Sequence, residues 1–117
     1  MKPRNEKQRF ILKVSKSRPV AYLPVLSRVL GSVNAGLLLS QLLYWQGKGK
    51  DPDWIYKTVE DIRNELGLSK AQQKTALAKC KSKDFVEVKY TGRIPRTRHF
   101  KVKVLVIGEA VRKRVGG

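Results

Sequence analysis

The sequence predicts an α+β fold in which several helices gather around one small antiparallel β-hairpin. Three observations predict it. Apolar residues recur at intervals of three and four as far as Lys83, the period then drops to two, and the two alternating segments are separated by a stretch containing Gly92 and Pro95. A chain of 117 residues with 41% hydrophobic content can bury one small core, which excludes disorder throughout. The expected organisation is a basic N-terminal arm or strand over residues 1–18, one folded domain over 19–107, and a frayed basic tail over 108–117.

Each element has its own justification. Phe10, Leu12 and Val14 alternate with Arg9, Lys13 and Ser15, as in a short strand or an extended arm with one buried side. Pro19 and Pro24 bracket a segment in which Leu23, Leu26, Val29 and Leu30 recur at helical spacing, and Gly31 stands where a left-handed cap ends a helix. Ser32 caps a second helix running to about Trp45, so apolar that it must be central. Gly47 to Asp53 is a loop by composition and lacks the Lys-Ser/Thr ending of a phosphate loop. Trp54 to Lys57 is a short extended stretch. Thr58 then caps a helix, with Asp61 at the reciprocating position and Val59, Ile62 and Leu66 on one face.

Gly67-Leu68-Ser69 is a tight turn in which Ser69 caps the next helix, again with a reciprocating residue, Gln72. Two capped helices joined by three residues that include a glycine have the layout of a helix-turn-helix. Beyond Lys83, Val86, Val88 and Tyr90 alternate with Glu87 and Lys89, and Phe100, Val102 and Val104 alternate with Lys101 and Lys103. These are two strands sharing a buried face, with Thr91 to His99 as the hairpin tip.

Charge separates the chain into a scaffold and a working surface. Lys and Arg number 26 against 9 Asp and Glu, a net charge of +17. Residues 19–66 hold five of each sign, whereas 67–103 hold eleven basic residues and two acidic ones. One face of the domain is therefore expected to be basic and to attract a polyanion, nucleic acid being the commonest inside a cell. One Cys (Cys80) and one His (His99) exclude a disulfide framework and a tetrahedral zinc set, and no cofactor is expected. No apolar run approaches the roughly 18 residues of a membrane span, so the expected location is the cytoplasm and no membrane partner is expected. No carboxylate pair or activated nucleophile can be assembled, which makes an enzyme the weakest reading.

The helix from Ser69 to Lys83 carries the chemistry. At about 100° per residue, Gln73, Ala76, Leu77 and Cys80 share a core-facing arc, while Ala71, Thr75, Ala78 and Ser82 form a slim stripe opposite. Lys70, Lys74 and Lys81 border that stripe on one side, with Gln72, Lys79 and Lys83 on the other. A helix placed in a major groove needs little bulk at its leading edge and positive charge toward both phosphate backbones. Only Gln72 and Thr75 offer polar groups near the groove floor, so phosphate contacts dominate and specificity is modest. The hairpin tip adds Arg93, Arg96 and Arg98 for a phosphate row or a narrow groove. Lys2, Arg4, Lys7 and Arg9 can track phosphates as an arm or form a solvated end. Trp45, Trp54, Tyr44 and Tyr56 crowd around the Gly47 to Asp53 loop and are expected at the core and its rim, the alternative being exposed rings that stack on bases.

The stretch TVEDIRNELGLSKAQQKTALAKCKSKDFVEVKY followed by GRIPRTRHFKVKV resembles the winged helix-turn-helix superfamily, with Thr58 to Leu66 as supporting helix, Ser69 to Lys83 as recognition helix and Gly92 to Arg98 as wing. The upstream AYLPVLSRVLGSVNAGLLLSQLLYW and its spacing to WIYKT are similar to the N-terminal DNA-binding domains of phage and plasmid replication proteins. The resemblance implies duplex DNA binding through Ser69, Lys70, Gln72, Lys74, Thr75, Lys79, Lys81, Arg93, Arg96 and Arg98, frequently as a homodimer, with no catalytic residues. Asp84 stands where such chains often have Gly, and Cys80 where they often have Leu. The replication proteins usually continue into a second domain, and nothing comparable follows residue 107. The expected role is therefore that of a small accessory factor or regulator of a mobile element, in replication or transcription control. Two other classes stay open: single-stranded DNA or RNA binding, and an interaction module whose Ala71, Thr75 and Ala78 stripe packs a partner's helix.

Overall fold

The computed structural model describes residues 19–92 and 96–115. The arm residues Lys2, Arg4, Lys7 and Arg9, the alternation at Phe10, Leu12 and Val14, and Arg93 at the hairpin tip lie outside the described residues. Helix α1 (Pro24–Leu30) starts on its proline and ends at Gly31, and the Leu23 N–H that precedes it donates to Ser40 Oγ at 3.0 Å. Helix α2 (Val33–Trp45) begins where Ser32 Oγ accepts the Ala35 N–H. The two helices cross at Gly36 and Ser27. A Cβ at Gly36 would stand 1.9 Å from Ser27 Oγ and 2.5 Å from its Cα, so this crossing demands glycine.

Strand β1 (Ile55–Tyr56) leads into helix α3 (Val59–Leu66), whose Thr58 side chain and Asp61 carboxylate cap each other's backbone N–H at 2.9 and 3.0 Å. Gly67 turns the chain in the left-handed region at φ 75°, and helix α4 (Lys70–Ser82) starts with a second reciprocal cap between Ser69 and Gln72. Asp84 also takes a positive φ, 61°, at the position where glycine is commoner. Its carboxylate pairs with Lys103 Nζ at 2.7 Å and raises the pKa of that ammonium above its ordinary value.

Strands β2 (Val86–Thr91) and β3 (Thr97–Val102) pair antiparallel, and β1 joins the far side of β3, giving the order β1-β3-β2. The inner face of this sheet presents Ile55, Val86, Phe100 and Val102 to a core built on Leu26, Leu38, Leu39, Leu42, Ile62, Ala76 and Cys80. The fold is α+β, five helices and a three-stranded antiparallel sheet among the described residues. No described helix is long and apolar enough to cross a membrane.

Three expectations are corrected. Val104 does not continue β3, and residues 108–115 are not a frayed tail, because Val104–Val115 forms helix α5. The run Val102, Val104, Val106 has the period and the β-branching of a strand. Ile107, Ala110 and Val111, however, are spaced for a helix and lie in or against the core, where α5 packs near α1. Tertiary burial overrides local propensity there. Tyr90, read as a core position, is half exposed at 52%.

Candidate nucleic-acid interface

Helix α4 is held by its inner arc. Ala76 and Cys80 are buried, and the Cys80 thiol lies 3.7 Å from the Ala35 carbonyl oxygen of α2. Burial pushes that thiol up to about 12, so it stays neutral and unreactive. Gln73, also buried, donates its amide to the Val59 and Leu68 carbonyls, both at 2.9 Å, fixing α4 to the start of α3 and to the turn between them. With the inner arc so committed, Ala71, Thr75, Ala78 and Ser82 face solvent as a slim ridge. Lys70, Lys74, Lys79 and Lys81 are exposed beside it, and no ion pair among the described residues engages them.

One flank of α4 faces the hairpin. Lys70, Lys74 and Lys81 form one wall of a cleft of about 540 Å³, Ala78 and Leu77 its floor, and Tyr90, Arg96 and Arg98 the opposing wall. The Arg96 guanidinium lies over the Tyr90 ring at 4.6 Å, an arrangement that holds an exposed cation at the cleft wall with less freedom to lose on binding. The cleft is lined by five cations and no carboxylate.

The predicted residues separate into groups. Lys70, Lys74, Lys81, Arg96 and Arg98 come together in the cleft. Thr75 and Lys79 are exposed on α4 but do not line it. Ser69 and Gln72 are engaged in the cap, with Gln72 Oε1 accepting the Ser69 N–H at 2.9 Å, so the one glutamine expected to read bases has its carbonyl oxygen occupied. Arg93 lies outside the described residues.

Arg98 departs from its expected role as a tip arginine. It packs over the Phe100 ring at 4.7 Å, donates to Gln73 Oε1 at 3.1 Å and to the Lys57 carbonyl at 3.3 Å, and burial pulls its pKa below the ordinary value. It is a brace between β3, α4 and the segment leading into α3. Strand parity carried the signal: Arg98 shares its side of β3 with Phe100 and Val102, both buried. Tyr90 was the residue missed, since its parity with Val86 and Val88 reads as core, yet it stands beyond the packed part of the sheet.

Family models, curated proteins and solved structures were all compared with this chain, and none matches.

Proposed function

We propose that this chain is a winged helix-turn-helix protein that binds duplex DNA, with α4 as recognition helix and the β2–β3 hairpin as wing. The observation that carries the reading is the cleft in which Lys70, Lys74 and Lys81 of α4 face Arg96 of the hairpin with no acid between them. Such a cleft suits a phosphate backbone passing between helix and hairpin while the slim Ala71, Thr75, Ala78 ridge lies in the major groove. Lys79 on the opposite flank reaches toward the other strand. With Gln72 held in the cap, Thr75 is the main polar group left on the ridge, so affinity rests on phosphates and sequence preference is modest. The biological setting that fits is replication or transcription control in a phage, plasmid or other mobile element.

Salt titration tests this directly. Each phosphate contact removed lowers the slope of log K against log salt by about 0.9. Lys74→Ala and Arg96→Ala are each expected to do so with little change in preferred sequence. Unchanged affinity and slope in the double variant would refute the assignment.

A further inference from the structure

The outer face of the sheet, turned away from the core, has a composition that duplex binding in the cleft does not use. Register places Tyr56, His99 and Lys89 in one row across the three strands, since His99 is paired with both of the others. The next row holds Lys101, with Trp54 beside it at the end of β1, where Lys89 Nζ lies 4.1 Å and Lys101 Nζ 5.9 Å from the centre of the indole ring. Tyr56 is 53% exposed, its ring tilted against His99 at 5.6 Å. A groove of about 410 Å³ runs along this side between Trp54, Tyr56, His99 and the loop residue Lys50.

We propose that this outer face binds unpaired nucleotides as a second site, separate from the α4 cleft. A flat aromatic ring on a sheet can stack on a base only where the base shows its face, and in a duplex that face is covered by its neighbours. Tyr56 supplies the exposed ring. The indole of Trp54 holds the ammonium groups of Lys89 and Lys101 beside it, so two cations are positioned for the phosphates that flank a stacked base. Acids border this side as well, and Asp51, which lines the groove, keeps its charge, the Asp53 N–H holding its carboxyl below the ordinary value. Asp51 accepts the N–H groups of Asp53 and Trp54 at 2.9 and 3.2 Å, and Glu87 stands opposite Lys101 in the strand register. That balance favours a single strand, bound by stacking plus a few phosphates, over an acidic protein partner.

The test uses the full chain, a fluorescent oligothymidylate of about 20 nucleotides and a duplex of equal length at one salt concentration. Tyr56→Leu, which keeps bulk but loses the flat ring, is expected to weaken oligothymidylate binding roughly five- to hundredfold and to change duplex binding by less than about twofold. Tyr56→Phe keeps the ring and is expected to stay within about twofold of wild type on both probes. Lys89→Ala with Lys101→Ala lowers the single-strand salt slope by about 1.4, and protein saturated with duplex still takes up oligothymidylate. Single-strand binding that ignores Tyr56→Leu, that disappears under duplex competition, or that is abolished by Lys74→Ala with Arg96→Ala overturns the proposal, as does absence of binding. Loss of the duplex site alone leaves the oligothymidylate result standing, so the two readings fail separately.

Discussion

Helices α2 and α4 are both 13 residues long, each starts on a serine cap, and they pack against each other, yet they serve opposite ends. Between Val33 and Trp45 there is no charged residue, and seven of the positions are buried. Between Lys70 and Ser82 there are four lysines and no acid, and four positions are buried. The difference lies in how each contact is made. The α4 contact face includes the small Ala76 and Cys80, which allow close approach to Ala35, so a narrow arc holds the helix and the remaining circumference is left for solvent and charge. A buried partner with little polar surface is what permits an exposed one with little apolar surface.

The largest way to break this comparison is to cut into each helix. Leu39→Ala removes a fully buried side chain of α2 and is expected to cost about 2–5 kcal/mol in urea unfolding. Thr75→Ala on the α4 ridge is expected to stay within about 0.5 kcal/mol. Comparable losses at both would mean that the ridge is packed.

Next comes the brace. Gln73→Leu deletes the amide that joins Arg98 to the Val59 and Leu68 carbonyls and is expected to cost about 1–3 kcal/mol. It should weaken duplex binding by loosening the hairpin against α4, without the change of salt slope that Arg96→Ala produces. A slope change for Gln73→Leu equal to that of Arg96→Ala would place Arg98 among the phosphate contacts instead.

The caps sharpen the comparison further. Ser32→Ala and Ser69→Ala are each expected to cost about 1 kcal/mol in thermal unfolding. The smallest effect is one of pH. The hydrogen bond from the Thr58 N–H holds the Asp61 carboxyl below its ordinary value, against a smaller opposing effect of desolvation. Because the folded pKa is the lower one, this contribution is fully present above the unfolded-chain value of about 4 and is lost as pH falls through the folded value. The stability gap between wild type and Asp61→Ala should therefore narrow on acidification below about pH 4. A gap that stays constant to pH 2 would show that the carboxylate's charge contributes nothing to the cap.

Much of the fold was legible in the chain. Helix starts at Ser32, Thr58 and Ser69 and the left-handed ends at Gly31 and Gly67 follow from which residues can satisfy backbone groups within three or four positions. Helix α5 was not legible, because its first residues alternate like a strand and only contact with the core selects the helical spacing of Ile107, Ala110 and Val111. Strand β1 is two residues long, too short to show a period, and becomes a strand only by pairing with β3. The lysines of the candidate site were legible as a helix face. Arg98 was misplaced because a basic residue near a turn reads as exposed unless its parity within the strand is followed.

The order of residues therefore determined the local geometry and the sign of the charge, both of which depend on neighbours a few positions apart. Tertiary structure decided which flank of α4 faces the hairpin, that Arg98 turns inward, and that Tyr56 is left open on the far side of the sheet. Those outcomes depend on segments tens of residues apart being brought together by burial of a shared core, and a pattern read along one stretch of chain carries no information about what the other stretch will place beside it.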